Sequence, residues 1–247
     1  MTSQTETGHA KNVANFETLI TNVTGFGTAY NPSKDSIKLP ALTALLATAK
    51  GAITDVNSAE PAYKNAVSAR DLAFKPLSKL ITRVNNSLKA SDSSSQVDDN
   101  AMTLVRKLQG RRSTPKMTEE EKQAAIAEGK EVNEISSSQM SYDSRVDNFD
   151  KLVKLLASVP EYAPNETELT TESLTTLYND LSAKNSAVIN ATVPLNNARI
   201  ARDQVLYAPL SGLVDISVDV KTYVKSAFGT TSPQYKAISG LKFIKRK

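Results

Sequence analysis

The chain repeats itself once, at long range and in order. Ala69-Arg70-Asp71 recurs as Ala201-Arg202-Asp203, 132 positions later. Pro76-Leu77-Ser78 recurs as Pro209-Leu210-Ser211, 133 positions later, so the second copy carries one inserted residue between the triplets. Asn65 aligns with Asn197, Phe74 with Tyr207, Asn15-Phe16 with Asn148-Phe149 and Tyr30 with Tyr162. Leu42 and Leu45 align with Leu174 and Leu177. Matches that resume in order beyond an insertion point to duplication rather than to shared composition. The period is far longer than the roughly twenty to fifty residues of a solenoid repeat. It suits two copies of one supersecondary unit.

The pattern within each copy is helical. Val13, Phe16, Ile20 and Val23 recur at helix spacing, which predicts an amphipathic helix over 10–24 that Gly25-Phe26-Gly27 stops. Val146, Phe149, Val153 and Leu156 form the same stripe in the second copy, ending before Pro160. A second helix is expected near Pro40, with proline in its first turn, and near Thr170 or Thr171, which suit a cap. Pro61 and Pro76 are fifteen residues apart, as are Pro194 and Pro209. That interval is about four helical turns, so the four prolines are expected helix kinks. A long kinked helix from Pro40 to Lys89 is preferred to a break at Pro61. Its seam would run through Ala62, Ala66, Ala69, Ala73, Leu77, Leu80, Val84 and Leu88. Shorter helices follow, over 98–109 with Met102, Val105 and Leu108, and over 233–245 with Ile238, Leu241 and Ile244.

Glycine usage excludes most alternatives. None stands between Gly51 and Gly110, or between Gly129 and Gly212, whereas all-β folds need frequent glycine-bearing turns. The expected fold is therefore all-α, an elongated antiparallel helical bundle with coiled-coil character. It would be built from two tandem copies of a helical unit with long, Pro-kinked helices. The expected organisation is a disordered tail over 1–9, a first repeat unit over 10–112, a polar connecting helix over 113–141 and a second repeat unit over 142–247. In the connector, Thr118 and Glu121 form a capping box, and the helix could continue through Val132 and Ile135.

The residue inventory bears on chemistry by what it lacks. There is no Cys and a single His, so thiol nucleophiles, disulfides, Cys-ligated zinc and multi-His metal sites are excluded. No glycine-rich phosphate loop and no Gly-x-Ser-x-Gly elbow is present. His9 falls in the polar N-terminal stretch, with no rigid partner suggested nearby. No catalytic constellation, metal site, cofactor or small-molecule substrate is identified.

Two polar features remain. The first is the repeated pair Arg70-Asp71 and Arg202-Asp203, with Asn65 and Asn197, read as a structural ion-pair network. Adjacent helical residues diverge by about 100°, so each Arg is expected to pair elsewhere than with its own neighbouring Asp. The second is the C-terminus. Residues 235–247 hold five basic and no acidic side chains, against a net +4 for the whole chain. Lys242, Lys245, Arg246 and Lys247 could meet an anionic surface. Docking of this segment on the core, with a solvated basic end, is the preferred reading.

The expected function is that of a non-enzymatic structural or scaffolding protein that self-assembles, with a homo-oligomer as the partner. The first alternative is a peripheral membrane-associating or pore-forming-like protein using the amphipathic C-terminus. The second is nucleic-acid binding through Arg106, Lys107, Arg111 and Arg112 and the C-terminal cluster. No charged leader with an apolar run, and no apolar window of spanning length, is apparent, so the expected location is cytoplasmic.

Overall fold

A computed structural model of the chain describes residues 8–111, 118–128 and 140–245. Every regular element among them is helical. Helix α1 is His9–Gly25, α2 Leu39–Phe74, α3 Leu77–Lys89, α4 Ser95–Gln109 and α5 Glu119–Ala127. Helix α6 is Tyr142–Ala157, α7 Thr171–Tyr207, α8 Leu213–Phe228 and α9 Pro233–Ser239. No helix among these residues is long and apolar enough to cross a membrane.

The chain divides into two compact units, one of 1–64 with 190–247 and the other of 65–189. We call them the split unit and the central unit. These boundaries differ from those of the sequence repeat, since each unit takes residues from both expected copies. The physical reason lies in α2 and α7. Both helices continue through the positions where a break would have kept each copy to itself.

Pro61 and Pro194 lie inside α2 and α7. Each removes one backbone donor, but both prolines are exposed, as are Asn57 and Asn190 four residues earlier. Water can therefore solvate the carbonyls left without a helical partner. Pro76 and Pro209 behave differently and are breaks, not kinks. Pro76 is the N-cap of α3, so the expected helix over 40–89 ends at Phe74. Changing direction there brings Phe74, 2 % exposed, and Leu77, 1 % exposed, into one core. Pro209 falls in the turn between α7 and α8, which has two special positions. Leu210 has φ 66, in the left-handed region, and is 83 % exposed. Gly212 packs against the Ala208 backbone so closely that a Cβ would lie 2.6 Å from the Ala208 nitrogen.

Each unit has its own core. In the split unit, α1 contributes Val13, Phe16, Leu19, Ile20 and Val23, which pack with Leu42, Leu206, Val220, Val224 and Ile238. In the central unit, Phe149, Leu152 and Leu156 of α6 pack with Ile81, Leu88, Val105, Leu108, Leu174 and Leu181. Burying each large aliphatic or aromatic side chain contributes roughly 1.5–3 kcal/mol relative to leaving it exposed. Both predicted α1 and α6 stripes lie on these cores, with Val146 only half-buried.

The helix starts follow local chemistry. The Thr170 hydroxyl accepts the Ser173 N–H at 3.3 Å at the start of α7. Thr118 and Glu121 form the capping box of α5. That helix ends at Ala127; the proposed continuation through Val132 and Ile135 lies outside the described residues. The loops after α1 and α6 each carry a buried tyrosine. Tyr30 Oη donates to the Ile37 carbonyl at 2.6 Å, and Tyr162 Oη to the Leu169 carbonyl at 2.7 Å. Burial raises both phenol pKa values, that of Tyr162 to about 12, and the nearby Tyr223 phenol reinforces the rise at Tyr30.

Two sequence expectations about the termini are corrected. His9 is the first residue of α1 rather than part of a disordered tail. Its Nδ1 lies 2.8 Å from Tyr207 Oη, which anchors it to α7. At the other end, the expected helix over 233–245 stops at Ser239. Residues 241–245 are not helical, because side chains of α1 and α8 bind their carbonyls instead.

Candidate functional site

In the central unit, Arg70 and Asp71 near the end of α2 face the start of α6. The Arg70 guanidinium carbon lies 3.8 Å from the centre of the Tyr142 ring. One Arg70 terminal nitrogen donates to Asn185 Oδ1 at 3.2 Å, and Asn185 Nδ2 donates to Asp143 Oδ1 at 2.6 Å. Tyr142 Oη donates to Asp71 Oδ1 at 2.6 Å. This bond to a carboxylate holds the phenol pKa above its ordinary value, with burial adding to it. Arg145 donates to the Phe74 carbonyl at 3.2 Å, and its guanidinium carbon is 4.9 Å from the Phe74 ring centre. Burial lowers the pKa of Arg145. The Nε atoms of Arg70 and Arg145 are buried without a hydrogen-bond partner. The aromatic faces beneath both guanidinium groups supply part of the missing electrostatic compensation. A cleft of about 480 Å³ opens beside this cluster, lined by Asp71, Leu72, Phe74, Lys75, Tyr142 and Arg145.

The corresponding triplet in the split unit is arranged otherwise. Arg202 Nε donates to Asp203 Oδ1 at 2.9 Å, and an Arg202 terminal nitrogen lies 2.8 Å from the same oxygen. This corrects the expectation that neighbouring helical residues would not pair. The long arginine side chain folds back across the 100° step, which Cβ directions alone would forbid. His9 Nδ1 lies 4.0 Å from the same carboxylate oxygen. A cleft of about 280 Å³ adjoins Arg202, lined also by His9, Lys11, Ile53, Val56 and Asn57. Asn65 and Asn197 are both exposed and take no part in either cluster as described.

A third group of contacts holds the C-terminal segment. Asn12, only 2 % exposed, donates through Nδ2 to the Ile244 carbonyl at 2.8 Å. Its Oδ1 accepts the Ile244 N–H at 3.1 Å. Asn15 Nδ2 donates to the Lys242 carbonyl at 2.7 Å. Lys221 Nζ donates to the Ser239 carbonyl at 3.0 Å and the Leu241 carbonyl at 2.6 Å. Burial lowers the pKa of Lys221. Lys245 Nζ lies 2.8 Å from Asp215 Oδ1, and this partner draws the Asp215 pKa down, helped by the Leu210 N–H. Lys242 is exposed, and Arg246 and Lys247 lie outside the described residues.

Sequence reasoning found the Arg-Asp pairs but missed Tyr142, Arg145 and Asn185, their partners in the central unit. It also missed Asn12 and Asn15 as the holders of the C-terminus. A usable signal existed at Asn12, a polar residue one helical turn before Phe16 on the apolar stripe of α1.

The central-unit cluster joins α2, α6 and α7 through side-chain hydrogen bonds, and in the split unit His9 stands between the Tyr207 hydroxyl and the Asp203 carboxylate. No group of three or more His, Asp or Glu able to hold a metal occurs among the described residues. No protein-family model, curated protein or solved structure matches the chain.

Proposed function

We propose that this chain is a non-enzymatic, self-associating helical scaffold whose partner is a second copy of itself. One observation carries the reading. Helix α7 presents Val193 and Ile200, both of the split unit, to solvent, at 54 % and 68 % exposure. A spacing of seven residues puts the two within about 20° of one another around the helix. Asn196 and Asn197 lie beside them on the same face, so the stripe holds no charge from Val193 to Ile200. A helix face that is apolar and uncharged pairs with its own copy without like-charge repulsion.

Tandem duplication belongs to the same reading. It is supported by the two tyrosine-to-carbonyl bonds, each spanning seven residues in the loop before a long helix. The Arg70, Asp71, Arg202 and Asp203 clusters are then internal fastenings of each unit, and the protein's chemistry is packing. The membrane and nucleic-acid alternatives draw less support, because Leu241 and Phe243 pack on the core and Lys245 is paired with Asp215.

Sedimentation or multi-angle light scattering tests the proposal. The wild-type chain should exceed the 26.7 kDa of one copy, and Ile200→Asp should return it toward that mass. A wild-type chain of single-copy mass at every accessible concentration would refute it.

A further inference from the structure

The C-terminal segment is bound as a peptide ligand is bound. Side chains of α1 and α8 hold its main chain at Leu241, Lys242 and Ile244. Asn12 contacts both polar atoms of the Ile244 backbone, as a neighbouring strand residue would. The segment's own side chains alternate. Leu241 and Phe243 pack on the split-unit core, while Lys242 and Ile244 are exposed. Backbone hydrogen bonds with alternate side chains seated in an apolar surface are the recognition mode of an added strand. The residues that hold it, its receptor, belong to other elements: Asn12 and Asn15 lie on α1, and Lys221 and Asp215 on α8. A single residue, Gly240, joins the segment to α9, and a Cβ there would meet nothing within 4 Å.

We propose that this receptor on the split unit is an interaction surface for residues 241–245 of a second copy, exchanged for the chain's own segment. The proposal rests on the self-association reading and names a contact for it that is separate from the α7 face. The same hydrogen bonds form in both arrangements, so exchange costs no contact. What favours the closed form is only the high effective concentration of a tethered segment, commonly millimolar. A docked end and an open end are then two states of the same copy.

The test uses full-length variants. Ile244→Pro removes the N–H that Asn12 Oδ1 accepts, and so frees the receptor. Asn12→Leu disables the receptor and leaves the segment intact. Ile244→Pro mixed with Asn12→Leu should form a one-to-one complex by analytical ultracentrifugation, and a peptide of residues 240–245 should compete it away. By fluorescence anisotropy the labelled peptide should bind Ile244→Pro at least about tenfold more tightly than wild type, whose own segment competes. Where Asn12→Leu fails to fold by circular dichroism, this peptide measurement decides alone. No peptide binding to folded Ile244→Pro up to about 1 mM, or equal binding to both chains, would overturn the proposal. Peptide binding would survive an inert α7 face, so the two readings can fail separately.

Discussion

The same triplet is put to two uses in the two units. In the central unit Arg70 lies on the Tyr142 ring and reaches Asn185, while Asp71 takes the tyrosine hydroxyl. In the split unit Arg202 turns back on Asp203, and His9 stands close to that carboxylate. The sequence offset that aligns Asn15 with Asn148 also sets His9 against Tyr142. A tyrosine offers both a ring face and a hydroxyl donor, so it can separate the arginine from the aspartate and satisfy each. A histidine without that reach leaves the arginine to its neighbour. The partner of a polar side chain is therefore decided by the facing helix and not by the triplet.

The largest expected effect tests whether the two units stand on separate cores. Phe16 and Phe149 are both 0 % exposed, one in each core. Truncating either to Ala should cost about 3–5 kcal/mol in urea unfolding. Hydrogen exchange should quicken mainly in the unit that carries the change. Equal acceleration in both would show that they open as one.

Next come the loop tyrosines, which should behave alike. Their pKa values are raised in the folded chain, so above pH 10 the unfolded chain gives up phenolic protons that the folded chain keeps. By linkage, this contribution is complete below pH 10 and disappears as pH rises through about 12 at Tyr162. Tyr30→Phe and Tyr162→Phe should each lower stability at neutral pH by about 1–3 kcal/mol, because a buried carbonyl loses its donor. Each should also make the fall in stability above pH 10 shallower in a pH series of thermal melts. An unchanged alkaline slope in both variants would contradict the assignment.

The smallest effects sharpen the triplet comparison itself. Arg70→Lys loses a stacked, hydrogen-bonded guanidinium and should cost about 1 kcal/mol. Arg202→Lys keeps a cation beside Asp203, whose side chain is 50 % exposed, and should stay within about 0.5 kcal/mol. Equal costs from thermal melts would remove the distinction between the two sites.

Much of the architecture was legible because it is periodic. The stripes of α1 and α6, the caps at Thr118 and Thr170 and the glycine-free lengths all express local rules. The prolines show where local rules stop. Pro61 and Pro76 look equivalent in sequence, yet one is tolerated on an exposed helix surface and the other ends a helix where two core residues must turn inward. The partners of the arginines were beyond reach, because Arg70 and Asn185 are 115 positions apart. The fate of the C-terminus was hidden for the same reason. Its apolar spacing suits a helix, but Asn12, 232 positions away, captures the Ile244 backbone.

The residues of the central unit interrupt those of the split unit along the chain, with a consequence for biosynthesis. The central unit is a continuous stretch, and all of its residues exist once Ile189 has been made. In the split unit α1 precedes the central unit, whereas α8 and α9, which pack on it, follow. Through that interval Phe16, Leu19 and Val23 have only the early part of their core, Tyr30, Ile37, Leu42 and Ala49. Helix α1 is thus made before the central unit but sealed only after it, and its partly covered apolar face is open to aggregation in that window.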